Sequence, residues 1–217
     1  MSNTGAGVLQ RRPSGEATRR KVIDAVVETV AEIGYYKASS NQIARRAGVT
    51  WGAIQHLFGS REQMMLAVAQ DIQTRYRDRV ATAEIDGSSL EDRLDQVIDV
   101  LAVHYEDPAF LVEVQILLDL SVNPGLSAAA RDELRRTAVA EFTRASQPLF
   151  AQAIGAAAGE QDLVDFAFAT LVAHLESLQI SRLASERPEG SAGRALLVRA
   201  IASFLRDEMA RRGGSIS

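Results

Sequence analysis

Between Ser39 and Gln63 the chain signals three helix starts, and this crowding constrains the fold more than any other feature of the sequence. Ser39-Ser40-Asn41-Gln42 has the form of a capping box, in which an N-cap hydroxyl and a Gln three residues later satisfy each other's backbone amides. Thr50 stands before the next apolar periodic segment, and Ser60-Arg61-Glu62-Gln63 is a second box. The two intervening helices must therefore be short. Ala47-Gly48-Val49 lies between them, where glycine permits the tight backbone that joins two helices at a steep angle.

Around this cluster the pattern is helical throughout, with no convincing period-2 alternation, and the fold class is all-α with about nine helices. Val22, Ile23, Val26, Val27, Val30 and Ile33 share one face of a helix over 16–33, which Gly34 closes. The helix opening at Arg61 carries Met65, Val68, Ile72, Tyr76 and Val80 inward and ends near Asp86-Gly87. Ser88-Ser89-Leu90-Glu91 reads as a third capping box, and Leu90, Leu94, Val97, Ile98, Leu101 and Tyr105 form the next inward stripe. Asp107-Pro108 then opens a sixth helix, FLVEVQILLDL, apolar on most sides and expected to be buried centrally until Asn123-Pro124-Gly125 breaks it. The seventh runs from Ser127 to Ala158 with Pro148 inside, where a kink or break is expected. Helix 8 (161–184) and helix 9 (192–211) flank the loop 185–190.

Charge is divided unevenly. Residues 1–62 hold nine Lys and Arg against five Asp and Glu, whereas the remainder holds 15 against 23. Basic side chains neutralise phosphates, so the N-terminal end is the candidate for a polyanionic partner; a solvated arm is the competing reading. Residues 1–15, with three Gly and one Pro, read as a disordered arm, and Arg11, Arg12, Arg19, Arg20 and Lys21 belong either to phosphate contacts or to solvent. The absence of Cys excludes disulfides and thiolate chemistry. No run reaches the roughly 18 uncharged apolar residues of a membrane span, and no signal-peptide core is seen, so the expected location is cytoplasmic, with no membrane partner.

A short capped helix, a Gly-containing turn and a second short helix make a helix-turn-helix, whose second helix enters the DNA major groove. An ordinary helical hairpin shares that outline. Ile43, Ala44, Val49, Ile54 and Phe58 supply the apolar set that packs the unit, leaving Trp51, Gly52, Gln55 and His56 outward. An interior glycine costs a helix about 1 kcal/mol relative to alanine, so Gly52 needs a reason, and close approach to another surface is the usual one.

The stretch from Gly34 to Val68, GYYKASSNQIARRAGVTWGAIQHLFGSREQMMLAV, resembles the DNA-binding domain of the TetR family of transcriptional repressors. The resemblance implies an N-terminal helix-turn-helix domain over 16–60, joined to a helical ligand-binding and dimerisation domain over 61–217 with helix 4 as the link. It implies DNA contacts from Ser39, Ser40, Thr50, Trp51, Gly52, Ala53, Gln55, His56 and Arg61. Two positions depart from the family pattern: Trp51 stands where relatives carry Lys, and Gln55 where they carry Tyr. Trp51 then packs on thymine methyls or sugar, or else in the core; Gln55 reads adenine or bonds a phosphate. Arg45 and Arg46 read as partners of acidic side chains or phosphate.

One such module reads few base pairs, so a homodimer on a palindromic operator is expected. Leu163, Ala167, Leu171, Leu175 and Leu178 on helix 8, with Leu197, Ile201, Phe204 and Leu205 on helix 9, form two stripes that suit either a dimer interface or the monomer core. The resemblance favours the interface. A cavity for a small-molecule effector among helices 5 to 8 is expected, with polar or aromatic residues on apolar faces as its markers: His104, Tyr105, Glu113, Phe142, Phe168 and His174, with Gln115, Phe166 and Glu176 beside them. A satisfied core or surface role is the alternative for each. No metal site, cofactor motif or catalytic signature is seen, so the expected function is a non-enzymatic, ligand-responsive DNA-binding regulator, in the first place a homodimeric repressor released from its operator by a small molecule, with an activator as the alternative. A helical carrier or enzyme with a vestigial N-terminal module is the competing reading, supported by the absent Lys and Tyr.

Overall fold

The computed structural model describes residues 15–122, 127–184 and 191–216, and among these every regular element is helical. The expected N-terminal arm, the Asn123-Pro124-Gly125 break and the loop at 185–190 lie outside the described residues, apart from Gly15. The chain forms two compact units, one ending at Val68 and the other beginning at Ala69.

The first unit comprises α1 (Gly15–Ile33), α2 (Ser40–Ala47), α3 (Trp51–Phe58) and the opening of α4 (Arg61–Ala81). Its boundaries follow from local chemistry. Gly34 adopts φ 81° after α1, and Gly48 adopts φ 67° after α2, both in the left-handed region that side chains disfavour. Ser39 Oγ accepts from Gln42 N at 3.3 Å, while Ser39 N donates to Gln42 Oε1 at 2.9 Å, closing the capping box. Thr50 Oγ1 accepts from Ala53 N, and Ser60 Oγ from Gln63 N, both at 3.2 Å. Each such cap contributes about 1 kcal/mol. Val22, Ile23, Val26 and Val30 of α1 are buried with Ile43, Ile54, Phe58, Met64 and Met65; Val27 and Ile33 are only half-buried.

The second unit contains the rest of α4, then α5 (Leu90–Glu106), α6 (Pro108–Val122), α7 (Ala128–Ile154), a 3-10 turn (Gly155–Gly159), α8 (Gln161–Ala184) and α9 (Ser191–Arg211). The cap of α5 is Ser89, accepting from Asp92 N at 3.1 Å, one residue later than the box read at Ser88. Ser88 instead donates its hydroxyl to the Asp92 carboxylate at 3.0 Å. No break occurs at Pro148. The missing amide removes one bond only, and Leu149 and Phe150, fully buried just beyond it, hold the helix in register. The interruption falls at Gly155, which takes φ 52°.

Two further expectations are corrected. The sixth helix, α6, is not buried all round: Ala109, Val112, Glu113, Ile116 and Leu120 turn inward, while Leu118 and Val122 are exposed. It packs against α5 and α7, which cover only one of its faces. Most of the stripes on α8 and α9 belong to the unit's own core: Leu163, Ala167, Leu171, Leu175, Ile201 and Leu205 are buried there, whereas Leu178, Leu197 and Phe204 are half-buried. What α8 leaves outside is mixed: Phe166 is 38% and Ile180 67% exposed with Ala169 and Ala173 between them, while Asp165, Glu176 and Ser177 are exposed as well. By length and composition alone residues Gln161–Arg182 are apolar enough to cross a membrane, as the core helix of a soluble protein also can be, but the segment carries Asp162, Asp165, Glu176 and Arg182 and is not an uncharged apolar run. Arginines fix α9 along α5. Arg194 bonds Asp95 at 2.5 Å and Asp99 at 2.7 Å, and Arg206 bonds Glu91 at 2.7 Å.

Candidate nucleic-acid interface and ligand cavity

On α3, Ile54 and Phe58 face the core of the first unit, and Gly52, Gln55 and His56 are exposed. Trp51 is half-buried, one turn before Ile54 on the same helix face, so its indole lies at the edge of the core with only part of its surface outward. Ala53 is half-buried, Thr50 is the exposed N-cap, and Ser39 and Ser40 sit at the start of α2, the first exposed and the second half-buried. A Cβ added to Gly52 would meet nothing nearer than Thr50 Oγ1 at 3.9 Å. Packing within the unit therefore does not require glycine there.

The basic side chains are more occupied than their number suggests. Arg61 donates to the carbonyls of Ala38 at 2.9 Å and Tyr35 at 3.4 Å, and its guanidinium lies over the Tyr35 ring. It thereby ties α4 to the turn before α2. Arg46 pairs with Glu28 and Glu32 of α1, which raise its pKa, and Arg19 lies 4.6 Å over the Phe58 ring. Arg45 and Lys37 are exposed.

In the second unit, two recesses of about 380 Å³ and 240 Å³ share Gln73, His104, Glu113 and Phe142. Five of the expected markers meet here: His104, Tyr105, Glu113, Phe142 and Phe168. Tyr76 stacks on Phe142 at 4.8 Å between ring centres and approaches His104 at 4.6 Å; Phe110 lies 5.3 Å from His104, and Phe168 5.9 Å from Phe142. The Tyr76 hydroxyl bonds Ser146 at 2.5 Å, and burial raises the pKa of both Tyr76 and Tyr105.

Glu113 is the one acid in this wall whose side chain is almost wholly withdrawn from water, being 5% exposed. Gln73 Nε2 donates to its Oε1 at 2.7 Å, and its Oε2 stands 3.9 Å from His104 Nε2, beyond hydrogen-bonding distance. Burial pushes its pKa up to about 7, against the opposing bond from Gln73. Burial lowers His104 to about 4, helped by the Arg79 charge and opposed by Asp107. Near neutrality the histidine is uncharged and the carboxyl is poised to ionise.

His174 is not in this cavity. It lines a separate recess of about 300 Å³ with Tyr105, Gln179, Arg182 and Arg194, and its buried Nε2 has no hydrogen-bond partner among the described residues. Phe166 is on the outer side of α8, 4.3 Å from Phe204 of α9, and Gln115 is not among the cavity-lining residues. Glu176 stands at the cavity's edge. Sequence reasoning missed the contribution of α4: Gln70, Gln73 and Thr74 line the cavity beside Tyr76, and the polar pair at 70 and 73 on an otherwise inward-turning stretch was the available signal. Among the described residues, no group of His, Asp and Glu is arranged to hold a metal ion.

Residues 22–68 match the family described as bacterial regulatory proteins, tetR family. An HTH-type transcriptional regulator BetI of Escherichia coli O17:K52:H18 (strain UMN026 / ExPEC) is 39% identical over 83 residues, spanning 37% of this chain and 43% of that protein. The match thus spans less than half the length of this curated relative. Two solved structures share the fold over most of the chain. The transcriptional regulator FadR from Bacillus subtilis in complex with stearoyl-CoA has a TM-score of 0.56 at 16% identity, covering 86% of this chain and 96% of that one. The multidrug binding protein EbrR complexed with malachite green has a TM-score of 0.54 at 19% identity, covering 86% and 96%.

Proposed function

We propose, on the premise that this chain belongs through its N-terminal unit to the tetR family of bacterial regulatory proteins, that it is a homodimeric DNA-binding repressor released from its operator by a small molecule. The observation that carries the proposal is α3. Its outward face presents Gly52, Gln55 and His56, and it keeps a glycine that packing does not require. Duplex DNA is a surface that needs such close approach, and Gln is suited to bidentate contact with adenine. Thr50, Trp51 and Ala53 of the same segment, with Ser39 and Ser40 at the start of α2, are assigned to the same contact; Arg61 positions the turn before α2.

Dimerisation is assigned to the outer faces of α8 and α9, where Phe166, Ile180 and Leu196 remain exposed. An apolar surface of this kind is normally covered by a partner, and a second copy presents the same face by symmetry. The effector is assigned to the cavity around Glu113 and Phe142. The similar proteins crystallised with malachite green and stearoyl-CoA support an effector of that size class. Because α4 is one continuous helix with residues in both units, it is the coupling element; a ligand shifts the DNA-competent population by its differential affinity and by no more. The cytoplasm, where the chromosome is, is the matching location.

Selection of duplexes from a random pool by the full chain tests this reading. Enrichment of a two-fold symmetric sequence at roughly 0.1 M salt is the expected result, with half-sites about 34–36 Å or a multiple apart. No enrichment at any salt would favour the carrier or enzyme reading.

A further inference from the structure

Glu113 is built into the cavity in a way that a neutral or anionic occupant would not reward. A buried carboxylate is costly unless a charge or several donors meet it, and among the described residues the donor in range is one neutral amide, that of Gln73. Its other oxygen stands 3.9 Å from His104 Nε2 in the wall that also carries Tyr76 and Phe142, and the ring centres of these three residues lie within 6.1 Å of one another. Ring faces carry negative potential and attract cations most strongly where water is excluded. The rim has the same sign. Glu141 of α7 and Glu176 of α8 stand at the edges, and the one Lys or Arg among the described lining residues is Arg77 of α4, exposed, with Nη2 3.4 Å from Thr74 Oγ1.

We infer that the effector is an organic cation, an ammonium or comparable charge on an aromatic or alkyl frame, with its charge at Glu113 Oε2 and its body against Tyr76, His104 and Phe142. This rests on the reading of the cavity as the effector site. A coenzyme A ester, whose phosphates need a basic set of side chains, is disfavoured by the described residues of the same wall, among which Arg77 is the one cation. A cation also supplies the missing counter-charge, holding Glu113 ionised where the empty cavity leaves it half protonated near neutrality. The other groups facing Glu113 do not replace it in that role: Tyr76 and Tyr105 have raised pKa values, His104 of α5 is neutral near pH 7, and Arg77 and Arg79 of α4 and Asp107 after α5 are exposed.

Titration calorimetry on the full chain with benzyltrimethylammonium, its uncharged isostere neopentylbenzene, and stearoyl-CoA tests the inference, each titration being paired with a duplex-binding measurement. Benzyltrimethylammonium is expected to bind one per chain, to outbind the neutral isostere by roughly tenfold or more, and to weaken at least as much in Glu113→Gln. Its affinity should rise roughly tenfold between pH 6 and pH 8, and this rise should vanish in Glu113→Gln. Phe142→Leu, which leaves the carboxylate in place, should weaken the cation more than the isostere and keeps the test available if Glu113→Gln does not fold. Equal binding of cation and isostere, or cation binding indifferent to both variants, would overturn the inference. Stearoyl-CoA binding that releases DNA while the cation fails to bind would also overturn it and leave the regulator reading standing; cation binding by a chain that holds no DNA would uphold the inference and defeat that reading.

Discussion

The two units place their candidate sites in opposite physical settings. In the first, the central residues assigned to DNA, Gly52, Gln55 and His56, lie on the exposed side of one eight-residue helix whose other side is core. In the second, the cavity is walled by side chains from α4, α5, α6, α7 and α8, and its central acid is buried. A surface site on one element leaves stability and function separable, because the reading residues hold nothing together. A buried site shared by five elements couples them, because every lining group is also a packing or solvation term.

The largest effect that would sharpen this contrast concerns what lies outside the second unit. Replacing Ile180 with Glu puts a charge on the exposed apolar face of α8, and the account expects the dimer to weaken by roughly 100-fold or more with the monomer still folded. Sedimentation against concentration, with circular dichroism as the fold control, reads both. An unchanged dimer would move the interface elsewhere.

Next in size is the buried acid. Folded Glu113 keeps its proton to about pH 7 against an ordinary value of 4.5, so its contribution to stability is present below about pH 4.5 and is lost as pH rises through 7. Glu113→Gln should therefore leave stability near pH 4 little changed and raise it at pH 8 by about 3 kcal/mol. His104 runs the other way: with its pKa lowered to about 4, its contribution is present above about 6.5 and is lost as pH falls through 4. The two slopes oppose one another between pH 4.5 and 6.5, so wild-type stability from this pair is nearly flat there. Glu113→Gln should expose the histidine's slope, rising with pH, in denaturant melts across that window.

In the first unit, Gln55→Ala should cost about 1–3 kcal/mol of sequence discrimination and almost nothing in unfolding free energy, since the side chain is exposed. Competition binding with single-base operator variants, beside a thermal melt, separates the two quantities. A smaller effect of opposite character belongs to Ser39→Ala. Losing the cap of α2 should destabilise the unit by about 1 kcal/mol, and DNA affinity should fall only as the folded fraction does. If the two losses diverge, Ser39 touches DNA as well as capping.

The same contrast explains what was legible in the sequence. The first unit is governed by local rules: Ser39 with Gln42, Thr50 with Ala53, and glycines at 34 and 48 act within a few residues, and each appears where the spacing placed it. The second unit is governed by packing that a single helix does not reveal. The Leu163–Leu175 stripe suited an interface as well as a core, and which it is depends on the positions of α5 and α7. A kink or break was expected at Pro148 because its local cost is visible, whereas the burial of Leu149 and Phe150 on a helix that runs on unbroken is not. Gln73 became a cavity residue only once α6 brought Glu113 against α4. Arg61 adds, even in the first unit, a contact that local rules do not reveal: resemblance assigned it to DNA, and in the fold it also holds the carbonyls of Ala38 and Tyr35.

Gly52 carries the most direct test of the account. Alanine at this position should stabilise the first unit by up to about 1 kcal/mol, because the added methyl meets nothing closer than 3.9 Å and helix propensity improves. If the face of α3 that bears Gly52 closes on duplex DNA, the more stable variant must bind worse. Fluorescence anisotropy on a selected duplex, with wild-type chain and Gly52→Ala compared at two salt concentrations, is predicted to show affinity lower by roughly tenfold or more in the variant. Equal affinity in a variant that melts higher would contradict the assignment of this helix as the reader of DNA.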